Sequence, residues 1–172
     1  LQARPTYGFL TEEGEDIVGE DEARRWIIDP IDGTTNFMHG IPMFAISIAL
    51  EEMGEVTSAL VYAPISDEMF WAEKGQGAFL NDRRLRVAAR RHMGDTVIGT
   101  GIPHLGRPEN PSYAAEMSAI AGECAGIRRM GSAALDLAYV AAGRFDGVWE
   151  TGLSPWDIAA GLLLAREAGA MV

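Results

Sequence analysis

The sequence predicts a mixed α/β fold of the α+β kind, an antiparallel sheet followed by strands that alternate with helices. Short apolar runs between residues 26 and 80 are separated by tight turns, the mark of strands joined by hairpins. Beyond residue 97 the rhythm changes: a strand, a periodic stretch, an Ala/Leu-rich stretch, another strand and a long apolar stretch, as in helices laid on a sheet. The chain has 172 residues, 48% hydrophobic and 23% charged, enough to bury one core. That balance excludes a disordered chain, a collagen-like repeat and a disulfide-stapled miniprotein.

In chain order, Gly8-Phe9-Leu10 is apolar, and the acidic, Gly-punctuated residues 11–25 read as an exposed connection. Residues 26–29 are a buried strand stopped by Pro30. Residues 44–51 and 56–62 form a hairpin about Glu52-Met53-Gly54-Glu55, and residues 69–73 and 78–80 form another about residues 74–77. Residues 97–100 are a strand, followed by a Pro/Gly/Asn-rich loop over 101–111 that marks a weak boundary. Residues 113–124 have helical spacing with Ser112 as N-cap, and residues 133–142 form a helix closed by Gly143. Residues 145–149 read as a strand, and residues 156–168 as a helix ended by Gly169. The expected organisation is a single domain over 1–172, with an antiparallel-sheet part at 1–100 and an α/β part at 112–172.

The net charge is −11, from 25 acids against 14 bases, and Lys74 is the one lysine. Such a chain is a poor binder of nucleic-acid backbones or anionic membranes, so neither is expected as a partner. No apolar stretch reaches the roughly 18 residues of a membrane span. A lone Cys124, read as buried and inert, allows no intrachain disulfide, so a cytoplasmic setting is expected.

The densest chemical signal is Asp29-Pro30-Ile31-Asp32-Gly33-Thr34-Thr35-Asn36. Two carboxylates three apart leave the end of a buried strand, where the turn can aim both, with the Ile31 carbonyl, at a hard cation such as Mg²⁺. Gly33, Thr34 and Thr35 then offer N–H groups and hydroxyls at a helix start, a phosphate cradle. The same residues also read as an Asx turn in which Asp32 caps a helix. Further acids stand at Glu12-Glu13, at Glu150 and at Asp157. Taken singly, Glu150 reads as a solvated strand end and Asp157 as a first-turn acid favoured by the helix dipole.

Together these pieces resemble the inositol monophosphatase family. The run Trp26-Ile27-Ile28-Asp29-Pro30-Ile31-Asp32-Gly33-Thr34-Thr35-Asn36-Phe37 is similar to its first signature, and Trp156-Asp157-Ile158-Ala159-Ala160-Gly161 to its second. Gly131-Ser132-Ala133-Ala134 is similar to the family's small-residue segment beside the substrate, and the resemblance runs from about Gly8 to Val172. It implies a layered αβαβα sandwich, shared with fructose-1,6-bisphosphatases, here without the family's first helices and last elements. It implies Mg²⁺-dependent, lithium-sensitive hydrolysis of a small phosphate monoester by metal-activated water, with inositol 1-phosphate or a similar sugar phosphate as substrate. Related substrates are histidinol phosphate, fructose 1,6-bisphosphate and a nucleotide 3′-phosphate. The resemblance further implies a homodimer, and some bacterial members of the family also bind the transcription machinery.

Carried over residue by residue, the resemblance makes Glu12 a metal ligand, with Glu13 the alternative register and Thr11 standing where the family has Gly. Asp29 bridges metals, the Ile31 carbonyl and Asp32 complete the set, and Asp157 ligates a second metal. Thr34 orients the nucleophilic water with Glu12, while Asp32 belongs to the same catalytic group. The Gly33 and Thr34 N–H groups and Thr35 hold the phosphate. Ser132, Ala133, Glu150 and Asp157 line the substrate. His39, His92 and His104 read as surface or supporting histidines, since this chemistry needs no side-chain nucleophile.

Overall fold

Alternating burial builds the larger sheet. In the computed structural model, which describes Arg4 and residues 6–103 and 111–172, seven strands lie in chain order: β1 (Tyr7–Thr11), β2 (Asp21–Asp32), β3 (Ala45–Glu52), β4 (Glu55–Ala63), β5 (Glu68–Glu73), β6 (Gly77–Leu80) and β7 (Arg83–Arg84). From β2 to β7 every neighbour is antiparallel, whereas β1 runs parallel to β2. The β3–β4 hairpin closes through Met53 (φ 52°) and Gly54 (φ 81°), both left-handed as the twist of a two-residue connection requires.

Small residues line the inner face of this sheet. Ala45, Ala49, Ala59, Ala63, Ala72 and Ala78 are buried there with Val61 and Phe70. Their size admits a close helical layer of α3 (Ala133–Ala141) and α4 (Pro155–Ala168). The two helices cross tightly: a Cβ on Gly161 would sit 2.5 Å from Leu137 Cβ. The Ser47 hydroxyl donates to the Trp156 carbonyl (3.2 Å), tying the start of α4 to β3, and Glu167 near its end accepts the Gly75 and Gly77 N–H groups, both at 2.8 Å.

The smaller sheet is parallel, in the order β10 (Gly147–Trp149), β8 (Val97–Thr100), β9 (Gly126–Arg128). Helix α2 (Tyr113–Ala121) connects β8 to β9, and its Tyr113 ring stacks on Trp149 at 6.3 Å. The two sheets with helices between and beside them are the layered α/β architecture read from the sequence. One core cluster joins Val61, Phe70 and Ala72 of the large sheet to Leu135, Ala138 and Leu164 of the helices.

Several local expectations are corrected. Residues 21–25 are not a loop: β2 starts at Asp21 because Arg24 and Arg25 lie opposite Glu52 and Glu51, bonding at 2.7 Å each, so charged side chains form a cross-strand row. β7 and β9 were too short and too charged to announce themselves. Helix α2 ends at Ala121; Ser112 is its N-cap as expected, though its hydroxyl donates to Glu116 (2.5 Å) rather than accepting a backbone N–H. Cys124 is half-buried rather than buried, whereas His39 and His92 are exposed, as surface histidines were expected to be. His104 and most of the 101–111 loop lie outside the described residues.

Candidate functional site

Four strands deliver their C-terminal ends to one place. β1 and β2 are parallel with Thr11 beside Ile28, and the Glu12 N–H donates to the Ile28 carbonyl at 3.3 Å. β8 and β10 are parallel with Thr100 beside Trp149, so Gly101 and Glu150 emerge together. Between them lies a cavity of about 220 Å³. Ligand sites in α/β sheets form outside the carboxyl ends of parallel strands for the same reason: chains emerge there and helices begin there.

β2 ends irregularly. Pro30 has no N–H to give the ladder, the pairing with β3 shifts between Asp29 and Asp32, and the Ile31 N–H folds back on Asp29 Oδ1 (2.9 Å). The Asx contact therefore belongs to Asp29. Asp32 does not cap the following α1 (Thr34–Met38), whose N-cap is Gly33 at φ 97°. Instead Asp32 Oδ2 accepts from the Ser132 hydroxyl (2.5 Å) and the Ala134 N–H (2.8 Å) at the start of α3. Asp157 sits in the first turn of α4 behind Pro155, where its Oδ2 accepts the Ser154 N–H at 2.7 Å.

Asp29, Asp32 and Asp157 are only 1%, 7% and 6% exposed, and one carboxylate oxygen from each lies within 4.8 Å of the others. Two ionised carboxylates at that distance repel by about 3 kcal/mol at an effective dielectric of about 20. Burial, then the charges of Asp32 and Glu12, push the Asp29 carboxyl up to about 8. Asp32 is pushed up to about 6 by burial, against the pull of the Ser132 and Ala134 hydrogen bonds. Such a cluster holds either protons or a cation. All-oxygen donors held by backbone and helix starts suit a hard divalent ion.

The remaining expected residues fall around the trio. Glu12 is exposed on the cavity rim and close enough to hydrogen-bond Asp29, while the neighbouring Glu13 is exposed. Gly33, Thr34 and Thr35 line the cavity beside Ser132 and Ala133. The Ile31 carbonyl accepts the Thr34 hydroxyl at 3.0 Å. Glu150 faces the cavity across Gly101, where a Cβ would run into its carboxyl group.

Sequence reasoning missed Arg129 and Asp136. Arg129 is the one cation among the described lining residues. Asp136, 1% exposed in the first turn of α3, also lines the cavity, and its Oδ1 has no hydrogen-bond partner among the described residues. Burial, then Glu150 and Asp32, push its carboxyl up to about 8, with Arg129 pulling the other way. An acid amid Ala and Leu, four residues after a helix cap, was the available signal.

Fold and site define a class: a layered α/β protein with a buried carboxylate trio opening on a polar cavity. The family model for the inositol monophosphatase family matches residues 1–172, and the chain belongs to that family. It is 67% identical over 169 residues to an inositol-1-monophosphatase of Rhizobium meliloti, covering 98% of this chain and 64% of that protein. It is 49% identical over 175 residues to a Nus factor SuhB of Pseudomonas aeruginosa, covering 99% of this chain and 65% of that protein. The crystal structure of an extragenic suppressor protein suhB from Bartonella henselae superposes with a TM-score of 0.95 at 60% identity, over 98% of this chain and 65% of that one. The chain thus spans about 64% of the length of the curated relatives it matches.

Proposed function

We propose that the protein hydrolyses a small phosphate monoester, inositol 1-phosphate or a similar sugar phosphate, with Mg²⁺ as cofactor. The observation that carries this is the buried Asp29–Asp32–Asp157 trio at the mouth of a polar cavity, in a chain of this family. Glu12, Asp29, the Ile31 carbonyl, Asp32 and Asp157 would hold the ions. Bound there, Mg²⁺ supplies charge neutralisation for a dianionic ester and a more acidic water. The chain's own groups do the rest. Thr34, with Glu12, orients the attacking water. The Gly33 and Thr34 N–H groups with Thr35 hold the phosphate, helped by the positive ends of α3 and α4. Ser132, Ala133, Glu150 and Asp157 contact the alcohol part. The common core supports reading 1–172 as one domain, with 1–100 and 112–172 as its two parts. A cytoplasmic homodimer, sensitive to lithium, completes the reading. Among the described residues no helix is long and apolar enough to cross a membrane.

The 49% identity to a protein named Nus factor SuhB favours a second reading, a regulatory binding role with the transcription machinery alongside or in place of catalysis. The test is phosphate release by the full-length protein, with and without Mg²⁺, on inositol 1-phosphate, histidinol phosphate, fructose 1,6-bisphosphate and adenosine 3′,5′-bisphosphate. Mg²⁺-dependent turnover that falls along a lithium titration is the expected result. No turnover on the panel would move the weight to the binding role.

A further inference from the structure

The turn that presents Asp32 and the loop that holds it are 100 residues apart in sequence, and one buried amide bridges them. Asn36, 6% exposed in α1, donates from Nδ2 to the Met43 carbonyl (2.6 Å) and to the Met130 carbonyl (2.8 Å). Both hydrogens of that nitrogen are then engaged. Met130 directly precedes Gly131 and Ser132, and the Ser132 hydroxyl and Ala134 N–H are the two groups that grip Asp32.

The backbones around this amide have no spare room. At Gly131 (φ 86°) a Cβ would lie 2.8 Å from Asn36 Nδ2. At Gly33 (φ 97°) a Cβ would lie 3.0 Å from the Gly131 carbonyl oxygen and 3.1 Å from that of Met43. Two glycines in left-handed conformations thus meet face to face, and the amide between them fixes how far apart they stand.

We infer that Asn36 is a positioning residue for the cation site, setting the distance between the Asp32 turn and the start of α3 and so the aim of the Asp32 carboxylate. Asn36 does not line the cavity; it acts through Met130, Gly131 and Ser132. The inference rests on the Mg²⁺-dependent reading proposed above. Supporting groups that orient a metal ligand typically change metal affinity by roughly ten- to a hundredfold. Hydroxyl and methyl side chains at position 36 divide the role: a serine can still donate one hydrogen bond, an alanine none.

The test is calorimetric titration of Mg²⁺ into the wild-type protein, Asn36→Ala, Asn36→Ser and a control, Val61→Ala, which opens a cavity in β4 at a buried residue that does not line the site. Asn36→Ala is expected to bind Mg²⁺ about ten- to a hundredfold more weakly, with Asn36→Ser between it and wild type. Val61→Ala is expected to melt earlier with unchanged affinity. If Asn36→Ala does not fold, the Asn36→Ser comparison alone decides. Affinities in the Asn36 variants equal to that of Val61→Ala would overturn the inference while leaving the site reading intact. A wild-type protein that takes up no Mg²⁺ would overturn both.

Discussion

The two ends of β2 handle negative charge in opposite ways. At its N-terminal end Arg24 and Arg25 face Glu52 and Glu51 across the ladder, and Arg24 holds the Glu52 carboxyl below its usual range. A few residues along the same strand, Asp29 and Asp32 are buried against another acid, Asp157, and burial raises both carboxyls. An arginine opposite either aspartate would have made a quieter protein. Massed acids destabilise the metal-free fold, and a site that pays this cost is poised to take up cations. The Arg–Glu row at the other end of the same strand shows acids held by opposite charges instead of by burial.

The contrast can be broken at its strongest point first. Asp32→Asn or Asp157→Asn removes a donor and a charge from the trio, so Mg²⁺-dependent phosphate release should fall by roughly a hundredfold or more while the far-ultraviolet circular dichroism is kept. Full activity in either variant contradicts the assignment.

A medium effect is expected at Asp136. Asp29, Asp32 and Asp136 have raised carboxyls, at about 8, 6 and 8 against an ordinary 3.8. The native metal-free chain therefore keeps protons that the unfolded chain releases, and its stability declines as pH rises from about 4 to about 8. Asp136→Asn removes one of these groups, so it should stabilise the metal-free protein by about 1–3 kcal/mol at pH 8 and by little at pH 5, as read from urea melts. Equal effects at the two pH values would show that the burden is not ionisation.

The smallest effect belongs to the other end of β2. Arg24→Ala breaks exposed pairs with Glu52 and Asp21, and surface pairs contribute little and are screened by salt. Its melting temperature should differ from wild type more at low than at high ionic strength, with Mg²⁺-dependent activity unchanged. A large loss of activity would tie the charged row to the site after all.

Contiguity governed what the sequence made legible. Asp29 to Thr35 stand together, and the turn chemistry of Pro30 and Gly33 shows in the residues themselves, so the aimed carboxylates could be anticipated. Asp157 was visible through its Pro-led helix start. The grip on Asp32 by Ser132 and Ala134, and the amide of Asn36 joining Met43 to Met130, depend on contacts across some hundred residues that no local pattern encodes. Asp136 escaped notice because a lone acid in a helix is ordinarily solvated, and only the burial of α3 as a whole takes it out of solvent. The first residues of β2 were misread for a related reason: a densely charged run looks like a loop until a partner strand supplies the opposite charges for Arg24 and Arg25.

The most direct measurement is the melting temperature of the protein at pH 8 in Mg²⁺ against Na⁺ at matched ionic strength, repeated at pH 5. If the massed acids are a cation site, Mg²⁺ raises the midpoint at pH 8, raises it less at pH 5 where protons compete, and has little effect on Asp32→Asn. Identical midpoints in the two salts at pH 8 would contradict the account.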